Sequence, residues 1–385
     1  MYLREAQAKG IIAQYGIPIP EGRVARSADE ARDCAQEITA EGYTIKALIH
    51  AGGRGLAGGV SFADTPDEAA MAAHKLLGKK LVTEQTGEHG EQVDEVYVEA
   101  TLDFEAELYL ALVIDQRTAL PTILGSLHGG VNFEERATAD PTIVVTLPMS
   151  PEGVLDDKAR VAFLTVLDAN RGVEAVVDSM IRTYLETDAI LIEINPLAVT
   201  GDRAVAIDAK IVLDGNALFR HPEMEALADD THTDASELIA RENEINFVKM
   251  GGDIGLVVNG AGLGLATHDM VVEAGGSPAN FMDIRTTATS FQIAKGIGLL
   301  LADPNVNVIL VNIHGGGMTV CDMVAEAIGF AYGRSERKPP IIYRAAGQNA
   351  PWSLKMMEDY RLPYETAETM TEAVKMAVAK AGARG

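Results

Sequence analysis

At 385 residues the chain is too long for one ordinary hydrophobic core and suggests two domains, or three small ones. Apolar residues make up 47% and aromatic residues only 5%, a balance suited to α/β cores filled by Ala, Val, Ile and Leu. A net charge of −24, from 56 acidic and 32 basic residues, argues against a nucleic-acid or anionic-membrane partner, because no basic patch stands out.

The two cysteines, Cys34 and Cys321, lie far apart and suggest no disulfide framework. There is no apolar run of ~18 residues, which excludes a transmembrane helix. The N-terminus enters an amphipathic segment at once, so no signal peptide is read there and a cytoplasmic compartment is expected.

In chain order, Leu3 to Tyr15 reads as a helix closed by Gly16, with Pro18 and Pro20 beyond it. Tyr43 to Ile49 alternates as a strand and runs into the glycine-rich stretch 52–59. Strand signals follow at Val96–Glu99, Glu107–Ile114 and Thr122–Leu127, and helical ones at Asp157–Leu167 and Val173–Glu186. A hairpin of strands then spans Ile190 to Ile211. Helices mixed with hairpin-joined strands predict an α+β first domain over residues 1–238, ending in an acidic linker around Leu227 to Ser236.

Over residues 239–385 the rhythm changes. Strands at Ile254–Val258, Val306–Ile313 and Ile341–Arg344 alternate with helices at Leu263–Glu273, Ser290–Leu301, Cys321–Ala331 and Thr371–Lys380. That alternation predicts a small doubly wound α/β domain with a mainly parallel sheet.

Three constellations can carry chemistry. Lys46 leads into His50-Ala51-Gly52-Gly53-Arg54-Gly55, where an ammonium among backbone N–H donors suits a polyphosphate. No Walker spacing follows, and a tight turn beside an exposed lysine is the plainer alternative. Glu99 and Glu107 can accept hydrogen bonds from ribose or base, or be solvated strand-end charges.

The third constellation is Glu193-Ile194-Asn195-Pro196 followed by Ile207-Asp208-Ala209-Lys210. A two-residue turn at Gly201-Asp202 sets Asn195 opposite Asp208 and Glu193 opposite Lys210, all on one face. Directly opposed Cβ atoms lie ~5 Å apart, so an amide oxygen and a carboxylate can share a Mg²⁺ beside a nucleotide. A charge-paired hairpin surface is the alternative.

In the second domain, Asn259-Gly260-Ala261-Gly262-Leu263-Gly264 and His314-Gly315-Gly316-Gly317-Met318-Thr319 both follow strands and open helices, where free N–H groups suit an anion. Leu265 stands where a dinucleotide fingerprint needs its third glycine, which disfavours NAD. The eight histidines show no metal spacing, and no residue sits in a nucleophile elbow.

With these residues located, the chain resembles the β subunits of succinate–CoA ligase (succinyl-CoA synthetase), a family that includes malate–CoA ligase β subunits. The matching strings are Glu5-Ala6-Gln7-Ala8-Lys9, the 50–55 loop, Leu191-Ile192-Glu193-Ile194-Asn195-Pro196-Leu197, Asp214-Gly215-Asn216-Ala217-Leu218-Phe219-Arg220, Asn259-Gly260-Ala261-Gly262-Leu263, Pro278-Ala279-Asn280-Phe281 and Val311-Asn312-Ile313.

The resemblance implies an ATP-grasp domain followed by a flavodoxin-like domain. Lys46, the Gly53-Arg54-Gly55 backbone, Glu99, the backbone near Leu102, and Glu107 would hold ATP or GTP. Asn195 and Asp208 would ligate Mg²⁺, with Glu193 aiding phosphoryl transfer. Asn259 and Gly316-Gly317-Met318 would hold a small carboxylic acid. An α subunit would carry the phosphohistidine and most of the coenzyme A (CoA) site, in an αβ or α₂β₂ assembly.

The chain departs from the family at Arg285-Thr286-Thr287, where three glycines are usual, at Leu56 in place of a lysine, and in a longer loop after Ile313. The departures bear on the substrate, because the acid-binding loops are altered while the nucleotide residues are intact. Succinate or malate is expected, the acid need not be succinate, and Arg285 could pair with an additional carboxylate. An ATP-grasp carboxylate–amine ligase and a non-catalytic paralogue remain alternatives.

Overall fold

The alternating Val, Leu and Ile of the first two-thirds are realised as two antiparallel sheets, each with helices on an apolar face. The computed structural model describes residues 1–87, 90–231 and 233–383. It divides into a unit spanning Met1–Asp229 and a second beginning at Asp230, within the acidic stretch read as a linker. His89 and His232 lie outside the described residues.

The first sheet has the order β1 (Gly22–Ala25), β6 (Val96–Ala100), β2 (Tyr43–Ala47), β3 (Val60–Ala63). Helices α2 (Ala28–Glu37) and α3 (Pro66–Leu76) cover it through Ala31, Ala35, Ala69 and Ala73, packed with Ile45 and Val98. Alanine lets the helix backbones lie close to the strands. Ser27 and Thr65 cap the two helices by accepting from Glu30 and Glu68 N–H groups. A short pair, β4 (Lys80–Leu81) and β5 (Glu91–Gln92), stands beside the glycine-rich loop.

The second sheet runs β11 (Arg203–Ala206), β10 (Ala189–Thr200), β7 (Ala106–Asp115), β8 (Leu120–Ser126), β9 (Val145–Pro148), with β12 (Ala209–Leu213) also on β10. One face packs Leu110, Leu112, Ile192 and Ile194 against α1 (Glu5–Gln14), α5 (Asp157–Val166) and α6 (Arg171–Thr187). The opposite face carries Tyr109, stacked on Phe133 of α4 (Phe133–Ala139) with ring centroids 3.7 Å apart. A single-turn helix, α7 (Pro222–Glu225), buries Met224 in the main core.

The second unit opens with α8 (Ala235–Glu242) and β13 (Asn246–Lys249). It then alternates β14 (Ile254–Asn259), α9 (Ala261–Glu273), β15 (Asn280–Ile284), α10 (Ser290–Ala302), β16 (Val308–Gly315), α11 (Cys321–Arg334), β17 (Ile341–Gly347), α12 (Ala350–Asp359), β18 (Tyr364–Thr366) and α13 (Met370–Gly382). The sheet order is β13-β15-β14-β16-β17-β18, parallel except for the edge strand β13. Helices α9 and α13 bury Val271, Val374 and Ala377 on one face, while α10, α11 and α12 bury Ile297, Val324 and Met357 on the other. This is the doubly wound order whose ligand crevice lies at the carboxyl ends of the strands. Among the described residues no helix is long and apolar enough to cross a membrane.

Candidate active site

The hairpin that ends the first unit fixes the site's geometry. Gly201 has φ +53°, and Thr200 pairs with Arg203 across the two-residue turn. The pairing expected from the sequence then holds from the turn back to Leu191: Leu197 faces Ala206, Ile194 faces Ala209 and Glu193 faces Lys210, before the register shifts between Leu191 and Ala189. Between β11 and β12, Asn195 N–H donates to the Asp208 carbonyl at 3.2 Å and Ile207 N–H to the Pro196 carbonyl at 3.0 Å. Asn195 and Asp208 are therefore opposed at the gap between two strands. With Ile192 and Ile194 in the core, the period of two sends Glu193 and Asn195 to the other face.

The side chains of this pair have partners of their own. Asn195 Oδ1 accepts from Gly130 N–H at 2.7 Å and its Nδ2 donates to the Gly130 carbonyl at 3.3 Å. Glu107 reaches the same turn: a Cβ on Gly130, whose φ is +89°, would lie 2.6 Å from Glu107 Oε2. The Gly129-Gly130 turn thus ties Asn195 to Glu107. Asp208 Oδ2 accepts from Arg54 Nη2 at 2.9 Å. Burial pushes the half-buried Glu193 carboxyl up; Lys210 draws it back, and the like charges of Glu134 and Asp208 push it further up.

Lys46 lies in the wholly buried strand β2, which excludes the exposed-lysine alternative. Its Nζ contacts Glu99 Oε1 at 2.6 Å, Glu5 Oε1 at 2.8 Å and the Ile207 carbonyl at 2.8 Å, joining the first sheet to the hairpin. Nor is Glu99 a solvated strand-end charge. It is 1% exposed, held by Lys46 and by Lys9, which is itself fully buried beneath the Tyr97 ring.

The Arg54 side chain, read as an appendage of a backbone loop, is also buried. Its Nη2 donates to Glu5 Oε2 at 2.6 Å as well as to Asp208, and its Nη1 to the Ala47 carbonyl at 2.8 Å. Gly53, at φ +75°, makes the turn that directs Arg54 inward, while Gly55 stays exposed. Leu102 is half-buried in the loop after β6.

Three cations (Lys9, Lys46, Arg54) thus meet three carboxylates (Glu5, Glu99, Asp208). Burial alone would raise the Glu5 carboxyl, but Lys46, Lys9 and Arg54 outweigh it and hold it well below its ordinary value. For Glu99, burial together with the charge of Glu5 prevails over Lys9 and Lys46, and its carboxyl is raised. Sequence reasoning gave Glu5 and Lys9 no role, although they bound the first string quoted above and their i, i+4 spacing on a helix could have paired them.

In the second unit, Asn259 pins the carboxyl ends of β14 and β16 together. Its Nδ2 donates to the His314 carbonyl and its Oδ1 accepts from His314 N–H, both at 2.8 Å. Beyond His314, Gly316 N–H donates to the Thr319 carbonyl at 2.9 Å, Gly317 takes φ +59°, and Met318 projects into solvent. The loop delivers the chain to the N-terminus of α11. Thr319, the last residue of the 314–319 string, is buried at this turn with its hydroxyl lacking a protein partner.

Arg285 is committed elsewhere: its guanidinium donates to the Glu244 carbonyl and lies 3.6 Å from the Glu244 carboxylate. Among the described residues no three His, Cys, Asp or Glu side chains converge as a metal cage. An amide and a single carboxylate, as in the hairpin, do not form such a group.

The glycine loop of the second unit tolerates no side chain at its base. A Cβ at Gly315 would overlap the Gln348 carbonyl oxygen and sit 2.8 Å from Cys321 Sγ. Gly315→Ala is expected to destabilise the protein by about 1–3 kcal/mol through this overpacking. A shift of the denaturation midpoint at unchanged slope would register it, and an unaltered midpoint would contradict it.

Comparisons with known proteins agree with this architecture. The family model for the ATP-grasp domain matches residues 2–199, and that for CoA-ligase matches residues 257–383. The β subunit of the ADP-forming succinate–CoA ligase of Wolinella succinogenes is 42% identical over 94% of both chains. That of Cupriavidus taiwanensis is 39% identical over 100% of both. Among solved structures, the ATP citrate lyase of Methanothrix soehngenii, in complex with citrate and coenzyme A, superposes with a TM-score of 0.76 over 98% of this chain and 99% of that one. At 18% identity this is a likeness of fold. The chain belongs to the succinate–CoA ligase β-subunit family, the nucleotide-binding subunits of ADP-forming acid–thiol ligases.

Proposed function

We propose that the chain works with an α subunit to form an acyl-CoA from a four-carbon dicarboxylic acid, CoA and ATP, with release of ADP and phosphate. The opposition of Asn195 and Asp208 carries this reading, because it supplies one amide and one carboxylate at the edge of a site rich in fixed charge. The chemistry of these donors fits Mg²⁺. Glu193, whose carboxyl is raised first by burial and then by the like charges of Glu134 and Asp208 against the pull of Lys210, lies beside this pair. A bound Mg²⁺ would neutralise phosphate charge.

The chain's own groups do the rest. Lys46, anchored from behind by Glu99, and the Gly53-Arg54-Gly55 loop would take the phosphates, while the backbone at Leu102 and Glu107 would hold ribose and base. Glu193 would keep the reacting phosphoryl group aligned. The γ-phosphoryl group would pass to a histidine of the α subunit and then to the acid as an acyl phosphate. The CoA thiol attacks the acyl carbon, expelling phosphate. This is a reaction of positioning and charge neutralisation. Asn259, holding the loop at His314, and Gly316, closing its turn on Thr319, would present the Gly317 and Met318 N–H groups at the mouth of α11 to orient the acid.

Succinate is the acid favoured by the relatives' names. The commitment of Arg285 to Glu244 weakens the case for a reader of an additional carboxylate. Acyl-CoA formation by the reconstituted pair across succinate, malate and citrate is expected to be fastest with succinate. A preference of about tenfold or more for malate or citrate would overturn the acid assignment. A chain that binds nucleotide but turns over no acid would be a non-catalytic paralogue.

A further inference from the structure

Glu5 and Lys9 lie one turn apart on α1, have no role in the reading above, and are almost wholly buried, at 4% and 0% exposure. Ions are kept out of water in this way only where partners fix them. The two oxygens of Glu5 divide the work. Oε1 takes Lys46 at 2.8 Å and Lys9 at 2.9 Å, while Oε2 takes Arg54 Nη2 at 2.6 Å. That same Arg54 nitrogen is shared with Asp208 at 2.9 Å, so Glu5 and Asp208 compete for one guanidinium.

We propose that Glu5 is a positioning residue for phosphoryl transfer. It spaces Lys46 and Arg54 for the triphosphate, and by taking half of Arg54 it leaves Asp208 able to exchange a guanidinium for the nucleotide's metal. The proposal rests on the nucleotide reading above and adds a role for α1. Lys9 serves the same end by bridging Glu5 to Glu99, so that Lys46 is held from two sides.

Charge and position predict opposite signs. Neutralising Glu5 makes a balanced cluster more positive by one charge, which on net charge alone would tighten an anionic nucleotide. If Glu5 positions its partners, neutralising it leaves Arg54 settled on Asp208. The nucleotide then binds more weakly, and more Mg²⁺ is needed to displace the arginine.

Calorimetric titration of the full-length chain with ADP, at several Mg²⁺ concentrations, separates these outcomes. Glu5→Gln is expected to bind Mg-ADP about tenfold more weakly, with a raised Mg²⁺ half-saturation and unchanged circular dichroism. Equal or tighter binding overturns the proposal. Should Glu5→Gln fail to fold, Glu5→Asp, one methylene short of spanning both cations, decides: affinity about threefold lower is expected, and wild-type affinity overturns it. Lys46→Met in the same titration isolates the premise. Wild-type binding there defeats the nucleotide reading itself. Loss in Lys46→Met beside full binding in Glu5→Gln defeats only the role of Glu5.

Discussion

Asp208→Ala is expected to lower nucleotide-dependent phosphorylation of the α-subunit histidine by about a thousandfold or more while leaving the chain folded. The two halves of this expectation have separate physical grounds. Phosphoryl transfer leaves the protein little covalent chemistry to do, so losing one of the two groups assigned to the metal removes charge neutralisation where it is needed. Stability should survive, because the Asp208 side chain is 36% exposed and its removal strands no buried ion. Arg54 keeps Glu5 and the Ala47 carbonyl. Incorporation of labelled γ-phosphate into the reconstituted pair, set beside thermal unfolding, reads both halves. A variant that phosphorylates its partner at the wild-type rate would remove the metal assignment, and one that no longer unfolds cooperatively would show Asp208 to be structural.

The hairpin behind this prediction was legible because its register is set locally. Gly201-Asp202 defines the turn, and Ile192 and Ile194 fix which face is buried, whereas Ile190, next in the same alternation, is exposed where the register shifts. The second unit was legible for a related reason: strands such as Ile254–Asn259 and Val308–Gly315 are buried on both faces and read as continuous apolar runs.

Elements whose burial rests on alanine were not legible. The sequence Ala-Asp-Glu-Ala-Arg-Asp-Cys-Ala-Gln-Glu of α2 buries only Ala31 and Ala35, too little apolar contrast to announce a helix. Strand β3 leaves Phe62 in solvent, inverting the cue that aromatic residues mark a core. The edge strand β13, half-exposed and polar, gave no alternation strong enough to read. The ionic cluster was only partly visible, since its members come from α1, β2, the glycine-rich loop, β6 and the hairpin. No spacing rule brings Lys9 to Glu99, 90 residues away. Arg54 shows the limit most clearly. Its glycine neighbours predicted backbone approach to a ligand, whereas its own side chain turns inward to Glu5 and Asp208.

Lys9→Met tests the cluster as a source of stability. Lys9 is fully buried, bridges Glu5 and Glu99, and lies 5.2 Å from the centre of the Tyr97 ring. Methionine fills similar space but supplies no charge, so two buried carboxylates would be left to Lys46 and Arg54. Removing one partner from a buried ionic group typically costs about 3–5 kcal/mol, and in a domain of this size that should lower the melting transition by about 10 °C. The pH dependence separates charge from packing. Glu99 is already raised above the ordinary carboxyl value of 4.5, and loss of Lys9 raises it further. A group whose folded-state pKa is raised binds its proton more readily folded than unfolded, so its contribution is fully present below the unfolded value and is lost as pH rises through the folded one. The deficit of Lys9→Met against wild type should therefore be largest near neutral pH and shrink as pH falls toward the ordinary carboxyl range, as Glu99 takes up its proton and needs a cation less. Paired denaturation curves across that interval measure it. A deficit that stays constant with pH would assign the loss to packing and remove Lys9 from the electrostatic framework of the site.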